Sequence, residues 1–249
     1  MGKSKDLATG ETRFVNTAGD TMTGNLAINN ASGSQVTLHR TDTTIANDDL
    51  LGQVIISGDD ADTNASGTRG FIRGRSQGTG GGLKMEFGTA GGGVAIGDPR
   101  MTINADGIVT KPYHPSFSAY INGSNPTITS NPTKIPYNAV RWDIGNNFDE
   151  TNHRYIAPVA GVYHFTVNHN VYGLTDDQYF RTRIYVNAAS YSLLGYIRAR
   201  GGGDHTVNDS ILINLGAADT VEVYTSSADT NYSLSAANNW NSFSGYLVG

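Results

Sequence analysis

YNAVRWDIGNNFDETNHRYIAPVAGVYHF, the stretch from Tyr137 to Phe165, decides the fold. Tyr137 is followed after five residues by Asp143, after four more by Phe148 and after six more by Tyr155, and Gly161, Tyr163 and Phe165 close the run. Turn-rich sequence seldom places aromatic, acidic and glycine positions in this order. From Val162 onward the residues alternate. One face of a strand would carry Tyr163, Phe165, Val167 and Val171, while His164, Thr166, Asn168 and Asn170 take the other. The same alternation recurs in Ile211, Ile213 and Leu215 and again in Val221, Val223 and Thr225. Strands at this spacing, separated by turns, predict an antiparallel sandwich.

Composition points the same way. The 249 residues include 31 glycines and only 16% charged residues, with a high share of Asn, Thr and Ser. Glycine supplies positive φ and Asn or Ser closes turns locally, so an all-β protein of many short strands is expected. No long stretch shows a 3.6-residue period. A formal net charge of −5 and a pI near 5.6 argue against a nucleic-acid partner, which needs a cationic excess to displace counterions. The cluster Arg69, Arg73 and Arg75 reads as one solvated strand face. No run approaches the roughly twenty apolar residues that span a bilayer, so no membrane insertion is expected. Met1 to Thr9 carries no apolar core for a signal peptide, and the chain has no cysteine for disulfides or thiolate chemistry.

The chain changes character along its length. All seven prolines lie at Pro99 or later, while the clusters Gly80 to Gly82 and Gly91 to Gly93 precede it. The first part alternates short apolar runs with turns: Thr21 to Ile28, Gln35 to His39, Gly52 to Ile56, Gly70 to Arg73, Leu83 to Phe87, Val94 to Ile96 and Arg100 to Ile103. Each is too short to fold alone and needs pairing partners from the chain or from symmetry-related copies. A boundary falls near Asp106 to Pro115, where Gly107, Pro112 and Pro115 limit ladder pairing. The segments are therefore 1–17, 18–111 and 112–249.

From Phe117 to Gly249 the chain resembles the C1q domain, the trimeric head related to tumour necrosis factor. The resemblance rests on the Tyr137 to Phe165 run together with Phe117-Ser118-Ala119-Tyr120, Ile135-Pro136-Tyr137-Asn138, Leu215-Gly216-Ala217-Ala218-Asp219-Thr220-Val221 and Phe243-Ser244-Gly245-Tyr246-Leu247. Departures are mild for a β-core: tyrosine for phenylalanine at Tyr137 and Tyr155, Val167 for an aromatic and Ala218 for glycine. The resemblance implies a jelly-roll sandwich packed about a threefold axis, with Phe117, Tyr163, Phe165, Phe243 and Tyr246 as residues of the trimer interface or of the inner core.

The run Gly19-Asp20-Thr21-Met22-Thr23-Gly24-Asn25-Leu26-Ala27-Ile28 is similar to the recurring strand motif of bacteriophage tail-fibre proteins, and Asp49 to Gly58 resembles fibre-shaft segments. The two resemblances together imply a non-enzymatic homotrimeric virion fibre, assembled in the host cytoplasm. Its 1–17 arm would anchor it to other tail or capsid proteins, 18–111 would form a trimeric β-rich shaft, and 112–249 a C1q-like knob contacting a host-surface glycan or protein. A structural fibre or adaptor whose head drives trimerisation is the alternative. A polysaccharide-degrading tailspike and a cellular C1q-like lectin are further readings.

Signals for catalysis are missing. Glutamates number four, and the pairs Asp59-Asp60, Asp149-Glu150 and Asp176-Asp177 would point to opposite faces in strands and be ordinary surface acids in loops. No Gly-x-Ser-x-Gly elbow or His-Glu-x-x-His helix occurs. Asp60-Ala61-Asp62-Thr63-Asn64 starts like a calcium loop, but Ala65 and Phe71 stand where glycine and glutamate belong. The six histidines form no local pair, so no catalytic residue, metal site or cofactor is expected. Aromatic faces and amides gathered at Tyr232, Asn238, Asn239 and Trp240 suit stacking against sugars and are the candidate receptor or glycan contacts.

Overall fold

The computed structural model describes residues 27–59, 67–90, 98–201, 203–229, 232–237 and 240–249. Every regular element among them is a β-strand. Strands β1 (Leu50–Gly58), β2 (Gly67–Gln77), β3 (Gly82–Thr89), β4 (Met101–Ile103) and β5 (Val109–Thr110) form an antiparallel meander in the order β1-β2-β3-β4-β5. Register gives this sheet two unlike faces. Val54 opposes Ile72, which opposes Phe87, which opposes Met101, so one face is apolar. On the other face Gln53, Arg73, Glu86 and Thr102 line up.

Glu86 is almost wholly buried and meets Arg73 at 2.5 Å, Lys84 at 3.3 Å and Arg75 at 3.5 Å. Arg73 and Arg75 therefore belong to a shielded ion-pair network, where the sequence pattern had suggested an open solvated face. One further expectation changes here. Residues 35–39 form no strand; instead Leu38 lies over Gly52, where a Cβ would stand 2.7 Å from the Leu38 Cβ, so the segment crosses the sheet without pairing to it. The motif at 19–26, the calcium-like run at 60–64 and the run at 94–96 lie outside the described residues.

The remaining strands are β6 (Ser116–Tyr120), β7 (Thr127–Ile128), β8 (Thr133–Lys134), β9 (Ala139–Ile144), β10 (Phe148–Asp149), β11 (Arg154–Ile156), β12 (Gly161–Tyr172), β13 (Tyr179–Val186), β14 (Ala189–Arg198), β15 (His205–Leu215), β16 (Thr220–Ser227), β17 (Tyr232–Leu234) and β18 (Ser242–Leu247). One sheet runs β7-β17-β12-β18-β6-β9, with β15 also paired to β12. The other runs β10-β11-β16-β13-β14, with β8 paired to β16. Neighbours that are distant in sequence, such as β6 beside β18 and β11 beside β16, make this an all-β jelly-roll sandwich.

The facing surfaces close on aromatic side chains. The Phe117 ring stacks on Tyr155 at 4.5 Å and on Phe148 at 5.2 Å, and meets Phe243 edge-on at 4.9 Å. Aromatic packing of this kind removes about 150–250 Å² per ring from water, so these residues dominate the core. The predicted alternation of β12 holds: Tyr163, Phe165, Val167 and Val171 are buried. So are Ile213 and Leu215 of β15 and Val221, Val223 and Thr225 of β16.

The spacing of the opening stretch has a local cause. After β9 the chain turns through Gly145 at φ 97° and Asn146 at φ 55°. Asp143 then accepts the Phe148 backbone N–H through Oδ2 at 2.8 Å, fixing the turn and delivering Phe148 to Phe117. The segment preceding the sandwich is tied to its last strand. His114 Nε2 bonds to the Leu247 carbonyl, and Leu247 N–H donates to the Pro115 carbonyl at 3.0 Å.

Candidate interaction surface of the sandwich

Of the five residues expected at a trimer interface or in the inner core, the structure puts Phe117, Tyr163, Phe165 and Phe243 in the core, each fully or almost fully buried. Tyr246 differs. It stands one step along β18 from Gly245, on the outward face of the seven-stranded sheet, and is 48% exposed. Register assembles its neighbours. Leu212 of β15 opposes His164 of β12, His164 opposes Tyr246, and Tyr246 opposes Ser116 of β6, which opposes Ile144 of β9.

A second row runs parallel to the first through Ser210, Thr166, Ser244, Ser118 and Trp142. The two rows have different chemistry. Leu212 is 59% and Trp142 51% exposed, while the middle of the second row is hydroxylated. The His164 and Tyr246 rings lie 5.3 Å apart. Lys111, His114, Trp142, His164, Ser244 and Tyr246 line a shallow groove of about 460 Å³ across this surface. Large exposed apolar side chains gathered on one sheet face mark an interaction surface more often than a solvated one.

Sequence reasoning had not singled out Leu212 or Trp142. The signal for Leu212 was present: Ile211-Leu212-Ile213 interrupts a strand that otherwise alternates, and an unbroken apolar run is the mark of a strand covered on both faces. Trp142 gave no such signal, because its place beside Tyr246 is set by the pairing of β9 with β6 and of β6 with β18, segments distant in sequence.

The predicted sugar contacts separate. Tyr232 is only 1% exposed; its hydroxyl bonds Thr225 Oγ1 at 3.1 Å and its ring meets Phe180 edge-on at 5.7 Å. Burial pushes its phenol up to about 12. Tyr232 is thus a core residue and offers no face to a ligand, a correction caused by β17 pairing into the sheet between β7 and β12. Trp240 is 44% exposed at a turn closed by its own N–H to the Ala237 carbonyl at 2.9 Å. Asn238 and Asn239 lie outside the described residues. Asn241, beside them in sequence, is fully buried, and its amide bonds the backbone of Asn170 and Ser235.

Polar groups inside the sandwich serve packing. His169 is fully buried, with Nε2 against the Tyr137 hydroxyl and Nδ1 2.9 Å from Thr182 Oγ1. Burial lowers its pKa to about 3 and raises that of Tyr137 well above the ordinary phenol value. A neutral imidazole sealed from solvent has no route to a substrate. His164 and His169 point to opposite faces of β12, one outward and one into the core.

The surface acids are engaged in turns: Asp149 with Arg154 at 3.2 Å and with the Asn152 N–H at 2.9 Å, and Asp176 with the Gly201 N–H at 2.6 Å. Among the described residues no three His, Asp or Glu side chains come together as a metal site. No helix among them is long and apolar enough to cross a membrane.

Residues 116–248 match the C1q domain family. Two curated Bacillus subtilis proteins are similar over shorter stretches. The uncharacterized protein YqcC is 30% identical over 99 residues, 37% of this chain and 26% of its own length. The phage-like element PBSX protein XkdV is 30% identical over 115 residues, 43% of this chain and 15% of its own length. The match thus spans about a quarter or less of these relatives. Among solved structures, the globular domain of zebrafish complement 1qA protein is 18% identical with a TM-score of 0.45, covering 54% of this chain and 98% of that one. The Eiger TNF of S. frugiperda is 10% identical with a TM-score of 0.45, covering 55% of this chain and 93% of that one.

Proposed function

This chain belongs to the C1q domain family, and from that premise we propose that it is a non-enzymatic, homotrimeric fibre of a phage or phage-like particle whose head contacts a host surface. Domains of this family commonly form homotrimers and typically bind or build rather than catalyse. The observation that carries the reading is the exposed row through Leu212, His164 and Tyr246, with Trp142 beside it. Three copies meeting about an axis would cover these side chains, which a monomer leaves in water. The stretch of similarity to the phage-like element protein and the fibre-like motif at 19–28 support the particle. In this reading 1–17 anchors the chain to tail or capsid proteins, 18–111 is the shaft and 112–249 the head. The host-surface contact, a glycan or a protein, falls on the loop bearing Trp240, and three weak contacts on one trimer gain strength by avidity.

Adsorption tests this reading. The purified full chain should run as a trimer and compete with particle adsorption to susceptible cells; a monomer, or a trimer that leaves adsorption unchanged, would count against it. A second reading, a structural fibre or adaptor, draws on the apolar face of the five-stranded sheet, where Val54, Ile56 and Ile72 stay exposed although Leu38 lies over Gly52. Such a face suits a shaft held together by copies of itself. Particles lacking the chain separate the two readings: intact but non-adsorbing particles favour the attachment role, and failed assembly favours the structural one.

A further inference from the structure

The six-stranded sheet has an outward face of its own. β13 alternates strictly: Phe180, Thr182 and Ile184 are buried, while Tyr179, Arg181, Arg183 and Tyr185 turn away from the core. Cross-strand partners widen this row, since Tyr196 of β14 opposes Arg181 and Tyr224 of β16 opposes Arg183. The Arg181 guanidinium sits 4.2 Å over the Tyr179 ring and 5.5 Å from the Tyr196 ring, and those rings stack at 6.1 Å and 15°. The Tyr185 and Tyr224 rings lie 4.0 Å apart. Tyr196 remains 46% exposed.

Elsewhere several basic side chains are neutralised. Arg73, Lys134, Arg154 and Arg198 each meet a carboxylate. Among the described residues Arg181 and Arg183 meet none: Arg181 lies against the two tyrosine rings, and Arg183 reaches Ser190 Oγ at 3.5 Å and, across the sheet, Tyr224. Two residues apart on one strand face, the two guanidinium groups stem from backbone positions about 7 Å apart and repel each other. On a chain of net charge −5, an unneutralised cationic pair set among four tyrosines is a local inversion of the overall sign.

We infer that the outer face of β13 binds an acidic polysaccharide with well-spaced carboxylates. Tyrosine rings offer flat apolar faces to the C–H faces of sugar rings, and a guanidinium fork pairs bidentately with a carboxylate. From Tyr179 to Tyr185 the row extends about 20 Å at strand rise, the length of several saccharide units. Its small number of unpaired cations selects for sparse charge. Glu222, opposite Tyr185, is buried against Lys134, and Asp177 pairs with Arg198 beside Tyr179, so these acids cancel the cations next to them and leave two guanidinium groups on the row, a match for a polymer of sparse charge and not for one with an anion on every unit, such as a nucleic acid. This surface lies on the sheet opposite Leu212 and Tyr246, and it depends on no property of the particle.

Titration of the full-length protein with hyaluronate, which carries a carboxylate on every second sugar, tests the assignment, with neutral dextran and oligothymidylate as comparison ligands. Hyaluronate should bind at low salt, weaken as salt screens the guanidinium groups, and bind about tenfold or more less tightly to the Arg181→Gln/Arg183→Gln variant, a loss of about 1.4 kcal/mol. Tyr196→Ala should weaken it several-fold. Melting temperatures should stay at the parent value, because these side chains are outside the core. Absence of hyaluronate binding, equal affinity of the double arginine variant, or oligothymidylate binding as tight as hyaluronate each overturns the assignment. None of these outcomes bears on the attachment role, which adsorption competition reads separately.

Discussion

Asp143 accepts the backbone N–H of Phe148 at 2.8 Å, and this single bond converts a spacing in the sequence into a position in the core. Five residues apart, the two flank a turn that passes through Gly145 and Asn146 in the left-handed region, where glycine and asparagine are tolerated best. Asp143→Ala leaves the N–H without its partner and loosens Phe148 against Phe117. Equilibrium urea unfolding should show a loss of about 1–3 kcal/mol. Asp143→Asn, which keeps an acceptor oxygen, should recover most of it.

Gly245 pairs with Phe165 across β18 and β12, and the Phe165 ring lies where a side chain at 245 would go: a Cβ there would stand 2.5 Å from ring carbon Cδ1 and 3.0 Å from the His164 carbonyl. Gly245→Ala should therefore destabilise the sandwich by about 1–3 kcal/mol through overpacking. Phe165→Leu alone should also destabilise. In a double-mutant cycle the two changes should be less than additive, because the smaller side chain vacates part of the space.

His169 is held neutral in the core, with a pKa lowered by burial from the ordinary 6.5 to about 3. Below pH 6.5 the unfolded chain takes up a proton that the folded chain refuses until about pH 3. The stability associated with this neutral imidazole is thus complete above pH 6.5 and lost progressively as pH falls toward 3, with a slope approaching about 1.4 kcal/mol per pH unit. His169→Gln should remove about one proton from the pH dependence of unfolding between those limits. An unchanged slope in the variant would show that the acid sensitivity resides in the carboxylates.

Tyr246 and Leu212 stand on either side of His164 on the outward face of the seven-stranded sheet. Under the trimer reading, Tyr246→Arg with Leu212→Arg places two cations per copy in a desolvated interface, which costs far more than the interface recovers. Light scattering after size exclusion should show the parent chain as a trimer and the variant shifted toward monomer. Both substitutions are on exposed side chains, so the far-ultraviolet β-spectrum should be retained.

Ile72 lies between Val54 and Phe87 on the apolar face of the five-stranded sheet. If this face packs against other copies in a shaft, Ile72→Lys should lower the thermal stability of the assembled full chain, while the melting of the sandwich itself, followed through Tyr and Trp fluorescence, stays in place. A single transition unchanged by the substitution would mean that the face remains in water.

Much of the sandwich was legible because its signals are local and repeated. The alternation Tyr163, Phe165, Val167 states which side of β12 is buried, since consecutive strand side chains point to opposite faces. The Ile211-Leu212-Ile213 run carries a further message: a side chain on the outward face as apolar as its neighbours. Tyr232 misled for the opposite reason. An aromatic among amides near a turn resembles a binding loop, but β17 zips onto β7 and β12, and a phenol bonded to Thr225 belongs to the core.

The amino-acid sequence alone determined that this is an all-β chain with a C1q-like jelly roll, because hydrophobic period, glycine and asparagine turns and the aromatic spacing are properties of neighbouring residues. Tertiary structure decided which outward residues share a surface. Leu212, His164, Tyr246 and Trp142 come from four strands, and Arg181 gains Tyr196 only by cross-strand register. Such neighbours are set by pairings between distant segments, where one residue of slip exchanges the two faces of a strand.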